Sequence, residues 1–315
     1  MIRKVVKSLG EHAARFNRLA SKETYYNIGD HLSNLKTNGF VVLDHLVDTK
    51  ELDELKRNLD KKVEVELDLK FPCLAQSKID IKKDYDLITT NFLTSKENLT
   101  ERDLTFSRND IQSYEQMMTT FQPSTLTVPM PSEIGFYDFW LDPVVLAIVS
   151  QYMGFYPHLS EAYIRRNFPC TYPVMNHNWH RDTNHDKHLL KAFVFFTDCN
   201  INTGAHHYIA GSIHDQRFRE KIYYTDDEIN TVWPISSKDH MISTVKAGTI
   251  IIEDTRGLHK AGIPKKDFRD LGYAVFIPPN LFRRQKPTYH IKKSVFDGLT
   301  HQQKLFIPTQ NIVNG

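Results

Sequence analysis

Gly248-Thr-Ile-Ile-Ile-Glu-Asp254 leads through Thr-Arg-Gly-Leu to a histidine at position 259. A glycine ahead of three consecutive β-branched residues predicts a turn feeding a short strand buried on both faces. The polar edge Glu253-Asp254 closes that strand, and a second glycine, Gly257, precedes His259. The same grammar of short apolar runs divided by turn residues recurs at 161–166, 189–197, 206–210, 241–245 and 271–277. Several short strands at modest spacing predict a β-sandwich or barrel rather than alternating βα units. A double-stranded β-helix (jelly roll, cupin-like) is the natural host for such a set.

The first 160 residues read differently. Val5, Val6, Leu9, Ala13, Phe16 and Leu19 recur at helical spacing. Asp48-Thr-Lys-Glu51 opens a second helix, with Leu52, Leu55 and Leu59 on one stripe. Asp142-Pro143 opens an apolar helix that runs through Met153 to a stop at Gly154. Gly39-Phe-Val-Val-Leu43 is a short strand, and the polar, irregular stretch 70–110 is expected to form a flexible flap. The fold class is therefore mainly β with flanking helices and a helical N-terminal part. One domain is expected over 1–315: a mostly helical elaboration over 1–160, a β-helix core over 161–280, and a basic C-terminal extension over 281–315.

Three side chains in the β-rich half carry metal-binding chemistry. Trp179-His180-Arg181-Asp182 holds a His-x-Asp pair, and His259 follows far along the chain. Two neutral imidazoles and one carboxylate on one face of a metal leave the opposite face open, which is the ligand set of non-haem Fe(II) oxygenases. Arg269 opens the last apolar strand and has the planar fork that grips the far carboxylate of a keto-acid.

Composition excludes other classes. With 40 Lys+Arg against 38 Asp+Glu, the formal charge of +2 sets up no field for nucleic acid or a membrane surface. The basic excess sits at the two ends, read as solvated faces and a mobile tail, with an anionic partner as the alternative. Cys73, Cys170 and Cys199 are odd in number and lack C-x-x-C spacing, which argues against a disulfide framework and for a reducing compartment. Without a long apolar run or a signal-peptide core, the cytoplasm is the expected location.

The order of these phrases resembles the phytanoyl-CoA dioxygenase family of Fe(II)/2-oxoglutarate oxygenases. Trp179-His180-Arg181-Asp182 matches its Trp-His-x-Asp motif; Thr203-Gly204, Ile209-Ala-Gly-Ser-Ile-His214, the Gly248-led strand, His259 and Arg269 follow in the family's order. Gly39-Phe-Val-Val-Leu43 and the helix after it match the N-terminal signature, so the likeness covers about residues 34–277. It implies that His180, Asp182 and His259 hold Fe(II) and that Arg269 binds the C5 carboxylate of 2-oxoglutarate, with O₂ as the oxidant. Phe193 falls where the family often has a Trp beside the co-substrate, although a plain core aromatic is an equal reading. Ala261 stands where the family commonly has a Ser, which removes one hydroxyl from the co-substrate contacts. Halogenating relatives have Gly or Ala at the carboxylate position, so Asp182 argues for hydroxylation of an unactivated C–H bond, with release of succinate and CO₂.

Arg181, between two ligands, is a candidate substrate-anion contact or the member of a surface ion pair. With Arg165, Arg166 and Lys187 nearby, a small-molecule substrate, possibly anionic in character, is expected. Two other classes stay open: a non-catalytic module that kept the barrel, and a cupin-like metal protein that uses no keto-acid.

Overall fold

The computed structural model describes residues 28–44, 49–62, 64, 115, 125–128, 135–169, 175–182, 189–279, 287 and 289–314. The expected helix near residues 5–19 and the expected flap at 70–110 lie outside the described residues. In the N-terminal half come α1 (Gly29–Asn38), β1 (Phe40–Leu43), α2 (Thr49–Lys61), β2 (Thr125–Val128), α3 (Gly135–Asp138) and α4 (Pro143–Met153). The β-rich half holds β3 (His158–Asn167), β4 (Trp179–His180), β5 (Leu190–Phe195), β6 (His207–Ile209), β7 (Tyr223–Tyr224), α5 (Asp226–Asn230), β8 (His240–Ile242), β9 (Ile250–Glu253), β10 (His259–Lys260) and β11 (Arg269–Ile277). β12 (Ile291–Lys292) and β13 (Ile312–Val313) form a small parallel pair near the C-terminus.

Two antiparallel sheets make the jelly roll. The major sheet runs β1-β9-β5-β11-β3-β2 and the minor sheet β7-β4-β10-β6-β8. The major sheet's central strands are buried on both faces, which is why they read as nearly continuous apolar runs. On β11, Ala274 and Phe276 face the helices, while Arg269, Leu271, Tyr273 and Val275 face the space between the sheets. β5 alternates in the same way, with Leu190, Ala192 and Val194 outward and Lys191, Phe193 and Phe195 inward.

The outward face carries the main core. α4 is apolar nearly all round, and Val145, Leu146, Ala147, Ile148 and Val149 are all buried, as expected of a helix enclosed by its neighbours. Asp142 caps it by accepting from the Val144 and Val145 amides, at 2.7 and 3.3 Å, and Gly154 ends it in the left-handed region. Residues 289–314, expected as part of a basic extension, contribute Tyr289, Ile291, Phe306 and Ile307 to this core. The Tyr289 hydroxyl donates to Leu159 O at 2.8 Å, and Leu159 N donates to Phe306 O at 2.8 Å. The apolar residues of this segment follow no single period among its lysines, so pattern alone did not mark them as core. No described helix is long and apolar enough to cross a membrane.

Arg166 points to the outward side, away from the inter-sheet space. Its fully buried guanidinium donates to both Asp270 oxygens, at 2.8 and 2.7 Å, lies over the Phe268 ring at 4.1 Å, and reaches Asp60 on α2. It thereby ties α2 to β3 and β11. Removing one partner of such a pair leaves a buried charge uncompensated. Asp270→Ala should therefore lower the unfolding free energy by about 3 kcal/mol, seen as a lower urea midpoint; an unchanged midpoint would show that Asp60 and Glu64 satisfy the guanidinium without it.

Candidate metal centre

β10 lies in the middle of the minor sheet and pairs on one side with β4 and on the other with β6. The register sets His259 opposite His180, so both imidazoles leave the sheet on the same face, with ring centroids 4.2 Å apart. Asp182 follows two residues after His180, where its backbone N–H donates to Thr255 O at 2.8 Å and fixes the turn. His180 Nε2 is then 3.9 Å from Asp182 Oδ1, and His259 Nε2 is 3.6 Å from Asp182 Oδ2. All three ligand atoms lie within 4.8 Å of one another, and this is the only such cluster among the described residues.

The protonation pattern suits a divalent cation. His180 donates its Nδ1–H to Asn178 O and His259 donates to Gly257 O, each at 2.9 Å, which leaves both Nε2 lone pairs directed at the shared point. Burial, with His180 beside it, holds the His259 pKa well below the ordinary histidine value. Burial would raise the Asp182 carboxyl, but the Lys191 ammonium 2.6 Å from Oδ2, helped by His259 and His180, keeps it well below the carboxylate range. Two neutral imidazoles and an ionised carboxylate on one side of a point fit a first-row transition metal with open positions.

Arg269 begins β11 in register with Asn167 at the end of β3. Its buried guanidinium donates to the carbonyl of Gly204 and, at 3.2 Å, to Asn167 Oδ1, while its Nε has no hydrogen-bond partner. Among the described residues no carboxylate pairs with it. A buried, uncompensated guanidinium is costly, so this one points to an anionic ligand. Gly204 is required here: its φ is 82°, and a Cβ would sit 2.6 Å from Gly262 O.

The triad and Arg269 line one cavity of about 290 Å³ between the sheets. Phe193 is in its wall, 5.2 Å centroid to centroid from His206 and level in register with Tyr273. Ala261 lines it too, so the hydroxyl expected from the family pattern is missing from this surface.

Arg181 is a correction. It does not line the cavity. Its guanidinium donates to the carbonyls of Ser212 and Arg256 at 2.7 Å each, and to those of Phe218, Asp215 and Arg217 at 3.2–3.4 Å. Alternation along the chain turns it away from the face that His180 and Asp182 share, and the loop at 212–218 wraps it. Its contacts pin backbone. Lys187 lies outside the described residues.

The pattern reading missed several polar groups in the cavity wall, among them Asn167, Lys191, Tyr223 and His206. Asn167 is recognisable only through its register with Arg269. Lys191 is two residues from Phe193 on one strand and so shares its face. Tyr223 sits opposite His180 in register, and burial plus Asp182 raises its pKa to about 12. His206 contacts Glu253 Oε2 through Nε2 at 2.9 Å, and both are buried.

A jelly roll holding a facial His-Asp-His cluster beside a buried arginine is a metal-dependent oxygenase-type architecture. The family model described as phytanoyl-CoA dioxygenase (PhyH) matches residues 35–263, and the chain belongs to that family. No curated protein matches the chain by sequence. Among solved structures, the chain is similar to the non-haem alpha-ketoglutarate-dependent epimerase SnoN from nogalamycin biosynthesis, at 14% identity and TM-score 0.50, covering 80% of this chain and 83% of that one. EctD from S. alaskensis with 2-oxoglutarate and 5-hydroxyectoine is 13% identical with TM-score 0.48, over 91% and 87% of the two chains. HygX from Streptomyces hygroscopicus with nickel and 2-oxoglutarate is 14% identical with TM-score 0.48, over 82% and 89%. At such identities the likeness is one of fold.

On the opposite face of the minor sheet, His207 contacts His240 Nε2 through its Nδ1 at 3.0 Å. Burial, then Lys260 and His240, bring the His207 pKa down to about 3. The unfolded chain therefore binds a proton that the native chain refuses, and stability falls as pH drops from about 6.5 towards 3. His207→Asn should flatten that fall by up to about 1.4 kcal/mol per pH unit, measured as urea midpoints between pH 4 and 6. An unchanged slope would mean that His207 titrates normally.

Proposed function

We propose that this chain is an Fe(II)- and 2-oxoglutarate-dependent oxygenase that hydroxylates an unactivated C–H bond of a small-molecule substrate, releasing succinate and CO₂. One observation carries the reading. The His180-Asp182-His259 cluster and the uncompensated Arg269 guanidinium face the same cavity, so a cation and a carboxylate-bearing co-substrate can be held side by side.

His180, Asp182 and His259 would hold the iron, and iron, keto-acid and O₂ together supply the oxidising power. Arg269 takes the far carboxylate through its planar fork. Asn167, which accepts from Arg269 through Oδ1, lines the same deep end. Phe193 and Leu271 give that end apolar walls that exclude water from the co-substrate's methylene chain. Tyr223 stays a neutral phenol beside His180, so it can donate a hydrogen bond into the cavity without adding charge. The carboxylate at position 182 fills the place that a halogenating site must leave to a halide, which favours oxygen transfer. SnoN, described as an epimerase, shows that related folds reach other outcomes; hydroxylation is the outcome proposed for this chain.

Anaerobic protein loaded with Fe(II) should develop a weak visible charge-transfer band on addition of 2-oxoglutarate and should release succinate slowly in air. Asp182→Ala should abolish the band. Losing a charge-assisted pair of about 1.5–3 kcal/mol weakens binding about ten- to a hundred-fold, and Arg269→Ala should raise the 2-oxoglutarate concentration needed by that factor. Arg269→Lys should recover only part of it. Metal-dependent turnover that ignores 2-oxoglutarate and survives Arg269→Ala would instead define a keto-acid-independent metal protein.

A further inference from the structure

We infer that the outward face of the minor sheet carries a second binding site, at which His207 Nε2 accepts a hydrogen bond from the N–H or O–H of an uncharged, partly apolar small molecule.

Strand alternation builds the site. Trp179 and Lys260 are the chain neighbours of His180 and His259, so they leave β4 and β10 on the face away from the metal cluster. His207 stands opposite Lys260 in register on β6 and shares that face. These three side chains, with His240, border a cavity of about 490 Å³. That volume lies within the range of small-molecule sites, roughly 300–1,000 Å³. It backs onto the inter-sheet cavity across the thickness of one sheet.

Hydrogen bonds fix which atom meets a ligand. Chiefly through burial, the His207 pKa comes down to about 3 and that of His240 is lowered, so both rings are neutral. His240 Nδ1 lies 3.3 Å from Trp233 O, and a carbonyl only accepts, so that nitrogen carries the proton. The His240 lone pair is then on Nε2, and the contact at 3.0 Å is a donation from His207 Nδ1. Nε2 of His207 is left as an acceptor. The residue is only 5% exposed, and among the described residues none donates to this atom. A buried acceptor is costly to leave unmatched. The pair is not arranged to share a metal ion. With ring centroids 5.3 Å apart and nitrogens 3.0 Å apart, the nitrogens lie close to the line joining the rings, whereas two ligands of one ion aim at a third point.

The surroundings select the ligand's charge and shape. The Lys260 ammonium lies 5.4 Å from the Trp179 ring centroid and pairs with Asp226, which also accepts from Trp179 Nε1 at 2.7 Å. Lys260 repels a cationic ligand. An anionic one would find that ammonium already paired and would meet both the Asp226 carboxylate and the His207 lone pair. An uncharged donor meets neither obstacle. The border of the cavity is apolar on one side. Ile201 and Ile235 are 47% and 60% exposed there, two of the three exposed large hydrophobic side chains among the described residues. With Ile263 they offer a surface for an apolar body, while the His207 acceptor fixes its polar end.

Phenol and anisole are the probes, one ring with and without an O–H, titrated against the full chain by ligand-observed NMR. Phenol should bind about ten-fold more tightly, the effect of one hydrogen bond to a buried acceptor. His207→Phe should bring phenol down to the anisole affinity and leave anisole unchanged. His207→Gln, which returns a carbonyl oxygen to that side of the ring's place, should recover part of the difference. Ile235→Ser should weaken both probes alike, and benzoate and benzylammonium should bind the unaltered protein more weakly than phenol does. Equal affinity for phenol and anisole would overturn the assignment. So would phenol binding that ignores His207→Phe, or a charged probe that binds more tightly than phenol. Should His207→Phe not fold, the phenol-to-anisole ratio of the unaltered protein decides, and a ratio near one sinks the site. No arm of this test uses metal or 2-oxoglutarate, so its failure leaves the oxygenase reading untouched.

Discussion

His259 stands opposite His180 because β10 is wedged between β4 and β6, and the metal-binding geometry depends on that register holding. A two-residue strand has little ladder of its own, so the support comes from its flanks. The Tyr208 hydroxyl donates to Asp254 O at 2.8 Å, and Leu258 N donates to Ser212 Oγ at 2.8 Å. Gly257 passes so close beneath Tyr208 that a Cβ there would lie 1.9 Å from the hydroxyl oxygen. Arg181 completes the brace. It sits in sequence between two ligands of the cluster and gathers Arg256 O, from the loop leading to the third, together with Ser212 O. A residue read from the sequence as either a substrate-anion contact or an ion-pair member thus ties the loop of His180 and Asp182 to the loop leading to His259.

The major sheet separates two kinds of work by the alternation of its strands. One face is packed against α1, α2, α4 and the C-terminal segment and holds the apolar core. The other carries Arg269, Arg165, Lys191 and Glu161 into the inter-sheet space. Shifting any of these strands by one residue would exchange the two sets, placing ionised groups in the core and leucines in the cavity. The large apolar face therefore enforces the register that the polar face needs. The same strands stabilise the molecule and aim its chemistry.

Much of this was legible in the residues themselves. Short apolar runs marked β9, β5 and β11, the first of them led by Gly248, because burial leaves a strong local signal, and Asp142-Pro143 with Gly154 bounded α4 to the residue. The cluster His180-Asp182-His259 and its partner Arg269 were visible because their residue types carry chemistry and their flanking phrases carry order. What escaped depended on pairing. β4, β7 and β10 are two residues long and have no period to detect. Asn167, Tyr223 and Lys191 matter only through the strand across from them, and no local pattern says which strand that is. Arg181 misled because side-chain direction at a bend is set by the loop that wraps it.

The polar side of the cavity has a thermodynamic consequence. Arg269 buried against two neutral acceptors is a poorer arrangement than the same charge in water. The protein tolerates it because the opposite face of the same sheet buries a core reaching from Leu35 to Phe306. A carboxylate ligand would relieve Arg269, and a cation would be held by Asp182. Binding either one should favour the folded state over the unfolded one, because only the folded state presents the site.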